Sequence, residues 1–400
     1  MEASHHLILL GGVLGLASIF AGLFSVRFGT PLLLVFLGLG MLAGEDGPGG
    51  IEFDDYAGAY LVGSVALAAI LFEGGLKTER AMVRVALWPS IVLATLGVAI
   101  TAAIIGALVV LLFQVHWGYA LLIGAAVAPT DAAAVAVLLR ISGIRLPERV
   151  GAVLEIESGL NDPMSVLLTL FLVAWLLTPA GLTIGDAALT FFAEMGGGAA
   201  IGLGGGYILL WLLRRLTMDA SVSPVFALAG ALTLFGGAQS VGASGFLAIY
   251  LAGVVVGNSD HEAIGRVERF FETFAWLAQI SLFLMLGLLV TPHQLTPMIV
   301  PALVVAALLI FLARPLAVFA CLLPFRFSPR QMAFVSWVGL RGAVPIYLTI
   351  IPILSGVQNA ELLFATAFII VIASLVIQGW TIGPAARLLR LTESEEAQAS

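Results

Sequence analysis

Apolar runs about 18 to 25 residues long recur along this chain at intervals of roughly 30, each long enough to cross the hydrocarbon core of a bilayer as a helix. Lipid offers backbone amides no partner, so such runs fold as helices that satisfy their own hydrogen bonds. Of the 400 residues, 61% are hydrophobic and 10% charged, with a mean hydropathy of +1.12. Soluble globular domains lie far from these values. The sequence therefore predicts an all-α integral membrane protein with nothing left for a soluble domain.

About thirteen spans can be counted, near residues 7–24, 31–43, 58–76, 86–113, 118–139, 151–176, 187–213, 222–239, 243–257, 270–290, 297–324, 331–354 and 362–386. All 17 basic residues except Arg314 and Arg341 fall in alternate connections or in the C-terminal tail. Basic residues flanking spans stay on the cytoplasmic side, which puts the N-terminus outside and the C-terminus inside. The first span lacks a basic leader, with Arg27 following it, so it is expected to stay attached. The net charge of -7 comes partly from acids in outer connections and partly from the tail, a pattern that does not suggest nucleic acid. Cys321 has no disulfide partner in the chain and reads as a small packing residue.

Seven acids sit in or at the edge of spans: Glu73, Asp131, Glu155, Glu157, Asp162, Glu194 and Glu272. At a helix centre each costs about 2.5 to 3.5 kcal/mol to insert, so the load needs a reason. Glu155 and Glu272 lie near cytoplasmic ends, where water or a salt bridge can serve them. In ESGLNDPMS, Ser158 and Asp162 are one helical turn apart, and Glu157 and Asn161 stack on the neighbouring line, giving one polar face. Pro163 removes a backbone donor and strains the preceding turn. Hard oxygens around a membrane-centre carboxylate suit an alkali cation or a proton.

The fifth span, GYALLIGAAVAPTDAAAVAVLLR, breaks at Pro129, Thr130 and Asp131. Thr130 or Asp131 can cap the new half-helix, and freed carbonyls become cation ligands where they line a cavity. Asp131 reads equally as the cap of a kink or as an ion contact. The twelfth span, QMAFVSWVGLRGAVPIYLTIIPIL, also breaks, between Gly339 and Pro345, and carries Arg341 at the break. Arg314, before Pro315, reads as a structural residue that snorkels or pairs with a bundle acid.

GAAVAPTDAAAVAVLL, LEIESGLNDPMSVLLT and SWVGLRGAVPI, together with LFEGGLKT, WLAQISLFLMLGLLVTP and ARPLAVFACLLPFR, resemble the signature segments of bacterial cation/proton antiporters of the NhaP and NHE type. The resemblance runs nearly end to end and is strongest to the potassium/proton branch called CvrA. It implies an NhaA/NhaP-like fold in which broken helices 5 and 12 cross. It also implies a homodimer in the bacterial inner membrane, with dimerisation-domain helices 1–3 in residues 1–85 and helices 8–10 in 216–292. Transport-bundle helices 4–6 would occupy 86–180 and helices 11–13 would occupy 293–390, with linking helix 7 in 181–215 and an acidic cytoplasmic tail in 391–400. Carried over by residue, the resemblance makes Asp162 the cation or proton site, with Ser158, Glu73 and the Thr130 carbonyl as further ligands. Asn161 would organise the site, Asp131 would stabilise the crossing, and Glu157 would pair with Arg341. Relatives in this branch commonly carry soluble C-terminal regulatory domains, and regulation by one is not expected from these 400 residues.

The activity implied is secondary antiport of K+ or Na+ against H+, electroneutral because Asn161 stands where a second Asp would otherwise precede Asp162, with no cofactor and no enzymatic step. A cation-selective channel, or a proton-coupled symporter using Arg341, would draw on the same residues. An intramembrane aspartyl protease would need a Gly-x-Gly-Asp segment that is missing. GLGGGY, Gly202 to Tyr207, lies inside a span with no preceding strand and reads as helix packing rather than a nucleotide loop.

Overall fold

The computed structural model describes residues 2–28, 31–178 and 183–391. The acidic tail predicted for 391–400 lies outside them except for Leu391. Fifteen helical segments account for the apolar runs: α1 (Glu2–Phe28), α2 (Leu32–Ala43), α3 (Tyr56–Lys77), α4 (Arg80–Phe113), α5 (Trp117–Val127), α6 (Ala132–Ile141), α7 (Glu148–Leu177), α8 (Ile184–Arg215), α9 (Val222–Ser240), α10 (Gly245–Gly257), α11 (Glu262–Leu288), α12 (Thr296–Phe325), α13 (Pro329–Trp337), α14 (Val344–Leu354) and α15 (Ala360–Leu388). Eight of these are long and apolar enough to cross a membrane, or nine if the bent pair α5 and α6 is one span. Among the described residues the single extended pairing is an isolated bridge between Gly44 and Ile51.

Local signals explain the ends. Asp55 caps α3 by accepting from the Gly58 N–H at 2.8 Å. Ser328 and Gln331 form a reciprocal capping box at the start of α13. Pro163 does not interrupt α7, which runs through it.

Two groups of helices pack on each other. In one, α10 lies between α3 and α8, and α11 lies between α2 and α3. Glycine lets these backbones touch. A Cβ on Gly75 would stand 2.2 Å from the Tyr250 carbonyl, and one on Gly253 would stand 2.4 Å from that of Phe72. Gly40 and Gly287 do the same for α2 and α11. The GLGGGY stretch, with Gly198 one turn before it, belongs to this set: Gly198, Gly202 and Gly206 rest on the backbone of Ser244, Ala248 and Ala252. In the other group α4 packs on α5 and α7, and α12, α13, α14 and α15 close around them. Both α4, at Leu93–Gly97, and α12, at Leu309–Ala313, contain a π-helical turn, a register shift frequent at functional sites.

Candidate functional site

The break between α5 and α6 meets the gap between α13 and α14. Helix α5 ends at Val127, α6 begins at Ala132, and their axes differ by 40°. Helix α13 ends at Trp337, and α14 begins at Val344. The Asp131 N–H donates to the Leu340 carbonyl at 2.8 Å, so one break supplies what the other leaves open. Asp131 also caps α6, its carboxylate accepting from the Ala134 N–H at 3.0 Å.

The glycines of GLRG make room here. A Cβ on Gly342 would lie 2.4 Å from the Asp131 carboxylate, and one on Gly339 would lie 2.9 Å from Nε of Arg314. Gly339 thus opens the path by which Arg314 reaches α7. Helix α15 braces the same break. Ser374 accepts from the Arg341 N–H at 3.0 Å and donates to Gln378 at 2.6 Å, while Gln378 donates to the Trp337 carbonyl at 2.6 Å.

Helix α7 lays its polar face over the first break. The Ser158 hydroxyl donates to the Thr130 carbonyl at 2.9 Å and accepts from the Ala132 N–H at 3.1 Å, bridging the gap between half-helices. One turn on, the Asn161 amide donates to the Thr130 hydroxyl at 2.8 Å and to Glu157 at 3.3 Å. Its own carbonyl oxygen is buried without a protein partner.

Glu157 corrects the sequence expectation. Its two oxygens accept from both terminal nitrogens of Arg314, each at 2.9 Å, with both side chains almost wholly buried. Arg341 is not its partner: that guanidinium turns back to the Gly339 carbonyl at 2.9 Å. The physical reason is reach. Arg314 follows directly on the π turn of α12 and passes over a residue with no side chain, so its planar fork meets the carboxylate face to face. The sequence showed Arg314 near Pro315 but could not show which helix it faces.

Asp162 faces a cavity of about 780 Å3 that Ser158, Thr130 and Asp131 also line. Among the described residues no ion pair engages its carboxylate. From this polar centre the cavity runs along the second half of α3, from Leu67 to Lys77, and reaches Arg140, Arg145 and Glu148 at the connection between α6 and α7. Glu73 lies in its wall, paired with Lys77 rather than free. Toward the start of α3 the way is filled: Tyr60 and Tyr347 stack with ring centres 5.4 Å apart, and the hydroxyls of Ser64 and Tyr347 share a hydrogen bond at 2.7 Å. Tyr347 is fully buried. All eight residues singled out from sequence thus lie on the two breaks, on the α7 face above them or in the cavity wall. The sequence reading missed the polar contributions of Ser374, Gln378 and Tyr347, each a lone polar residue within an apolar run.

The family described as "Sodium/hydrogen exchanger, transmembrane" matches residues 15–388. The K(+)/H(+) antiporter NhaP of Alkalimonas amylolytica is 47% identical over 397 residues, covering 99% of this chain and 69% of that protein. The K(+)/H(+) antiporter NhaP2 of Shewanella sp. (strain ANA-3) is 46% identical over 392 residues, 98% of this chain and 68% of that one. In fold, the structure of the sodium proton antiporter MjNhaP1 from Methanocaldococcus jannaschii superposes with a TM-score of 0.82 over 96% of this chain and 99% of that one, at 22% sequence identity.

Proposed function

The chain belongs to the sodium/hydrogen exchanger family, and from that membership we propose that it is a secondary-active antiporter exchanging a monovalent cation, K+ or Na+, for H+ across the bacterial inner membrane. The relatives named as K+/H+ antiporters make K+ the first cation to test. The chain crosses the bilayer thirteen times, N-terminus outside and C-terminus inside, with the spans α5–α6 and α13–α14 crossing at their breaks. It works as a homodimer in which the first helix group holds the second.

The observation that carries this reading is Asp162, a carboxylate with no cationic partner among the described residues, at the inner end of an open cavity. Its neighbours are otherwise engaged. Glu157 is neutralised by Arg314, Asp131 accepts a backbone N–H, and Glu73 is paired with Lys77. Asp162 is left to bind either a proton or a cation, and one carboxylate cannot hold both. Ser158 and the Thr130 carbonyl bring further oxygens, which shift from their mutual hydrogen bond to the ion on loading, and Glu73 joins once released from Lys77. Asn161 fixes Thr130 in place. A bare carboxylate carried through the low-dielectric interior costs several kcal/mol, so the bundle moves loaded with one or the other and exchange results. A carboxylate that holds either one proton or one monovalent cation makes the exchange one for one and electroneutral.

In inverted vesicles carrying the protein, K+ or Na+ should dequench a pH-sensitive dye by driving protons out, and Asp162→Asn should abolish the response. Substantial exchange surviving in that variant overturns the assignment.

A further inference from the structure

The mouth of the cavity already holds a positive charge. Lys77, the last residue of α3, pairs with Glu73 one turn back, and its ammonium lies 3.8 Å from Glu272 of α11. All three line the cavity that reaches Asp162, and so does Glu155 of α7. A lysine head is a compact point charge with three donors on a flexible stem, the closest side-chain counterpart of a small monovalent cation. The Lys77 side chain is 52% exposed while that of Glu73 is 15% exposed, so the carboxylate is sheltered and the ammonium free to swing away. A pair this exposed is weak enough for an arriving ion to displace.

We propose that Lys77 is a tethered competitor of the transported cation: it occupies Glu73 while the cavity is empty and sets the concentration at which the site loads from this face. The inference rests on the antiport reading of the same cavity. Lysine at the end of a helix has a purely structural use as well, complementing the negative pole of the helix dipole. Losing that use would lower protein yield or maximal rate and would leave the affinity for the ion alone.

The test is cation-dependent exchange in inverted vesicles, which present this face to the bath. Lys77→Met should lower the apparent KM for K+ or Na+ about three- to fivefold, the reach of an exposed ion pair, with the maximal rate nearly unchanged. Lys77→Arg, which keeps the charge, should retain the wild-type KM. In the Glu73→Gln background, Lys77→Met should change nothing further. An unchanged or raised KM in Lys77→Met, or the same gain in Lys77→Arg, overturns the proposal. Asp162→Asn run alongside separates the two failures: if it abolishes exchange while Lys77→Met leaves KM alone, only the role of Lys77 falls; if it leaves exchange intact, the assignment of this cavity as the exchange site falls and this inference with it.

Discussion

Glu157 and Arg314 form a bidentate pair in which neither side chain keeps more than 2% of its surface. Such a pair adds little net stability over apolar residues of the same shape, but removing one partner strands a buried charge at about 3–5 kcal/mol. Arg314→Met should therefore lower the thermal unfolding midpoint in detergent sharply, and Glu157→Gln combined with it should recover much of the loss. Equal loss in single and double variants would mean that packing, not charge, governs the site. In the connection after α2, Asp46 accepts from the His293 N–H at 2.8 Å and contacts the His293 ring. The backbone bond first, then the ring bond, hold this carboxyl below the ordinary aspartate range. Its tie to the turn at Pro292–Leu295 is thus fully formed above about pH 4, the unfolded value, and fades as pH falls through the lower folded value. Hydrogen exchange at His293 should quicken with Asp46→Asn at neutral pH and match wild type in strong acid. At this scale the sequence was legible where chemistry is local: the i, i+4 spacing of Ser158 and Asp162 could be read directly. It was illegible where a partner comes from afar, as with Arg314, because two candidate arginines sit in spans and only the fold says which one Glu157 meets.

Among elements, the breaks were readable because proline, glycine and a capping acid each disfavour a continuous helix at a known position. That they touch followed only from the family resemblance and not from any local pattern, since the Asp131 to Leu340 bond joins residues far apart in sequence. The brace from α15 was equally hidden, because Ser374 and Gln378 carry no pattern that names a backbone target. The glycine contacts lie in between: GLGGGY announces close packing without saying on what. Gly202→Val would drive a side chain into the Ala248 carbonyl, 2.5 Å from its Cβ, and separate α8 from α10. It should cut the yield of folded protein strongly. Gly204→Ala, two residues on with open space around it, should leave yield unchanged. Size-exclusion chromatography after extraction checks both. Similar losses for the two variants would show that helix propensity rather than close approach decides the effect.

For the whole molecule, hydropathy and the distribution of charge gave the helices and their expected sidedness, because those depend on the solvent around the chain rather than on contacts within it. They could not give the cavity, which exists only once two groups of helices are set against each other. Its position makes a directional prediction. With the buried Cys321 replaced by Ser, a cysteine at Ala133, an exposed residue in the cavity wall, should react with a membrane-impermeant thiol reagent added to the cytoplasmic face and not from outside. Reaction from the outside instead would reverse the proposed topology. The stack of Tyr60 on Tyr347, one ring from α3 and one from α14, fills the far side with two faces that must slide apart before anything passes. A passage stoppered in that way does not leak while it waits. For the exchange proposed above, each turnover then needs these two aromatic surfaces to part and meet again, like a ferry with one landing stage exposed at a time.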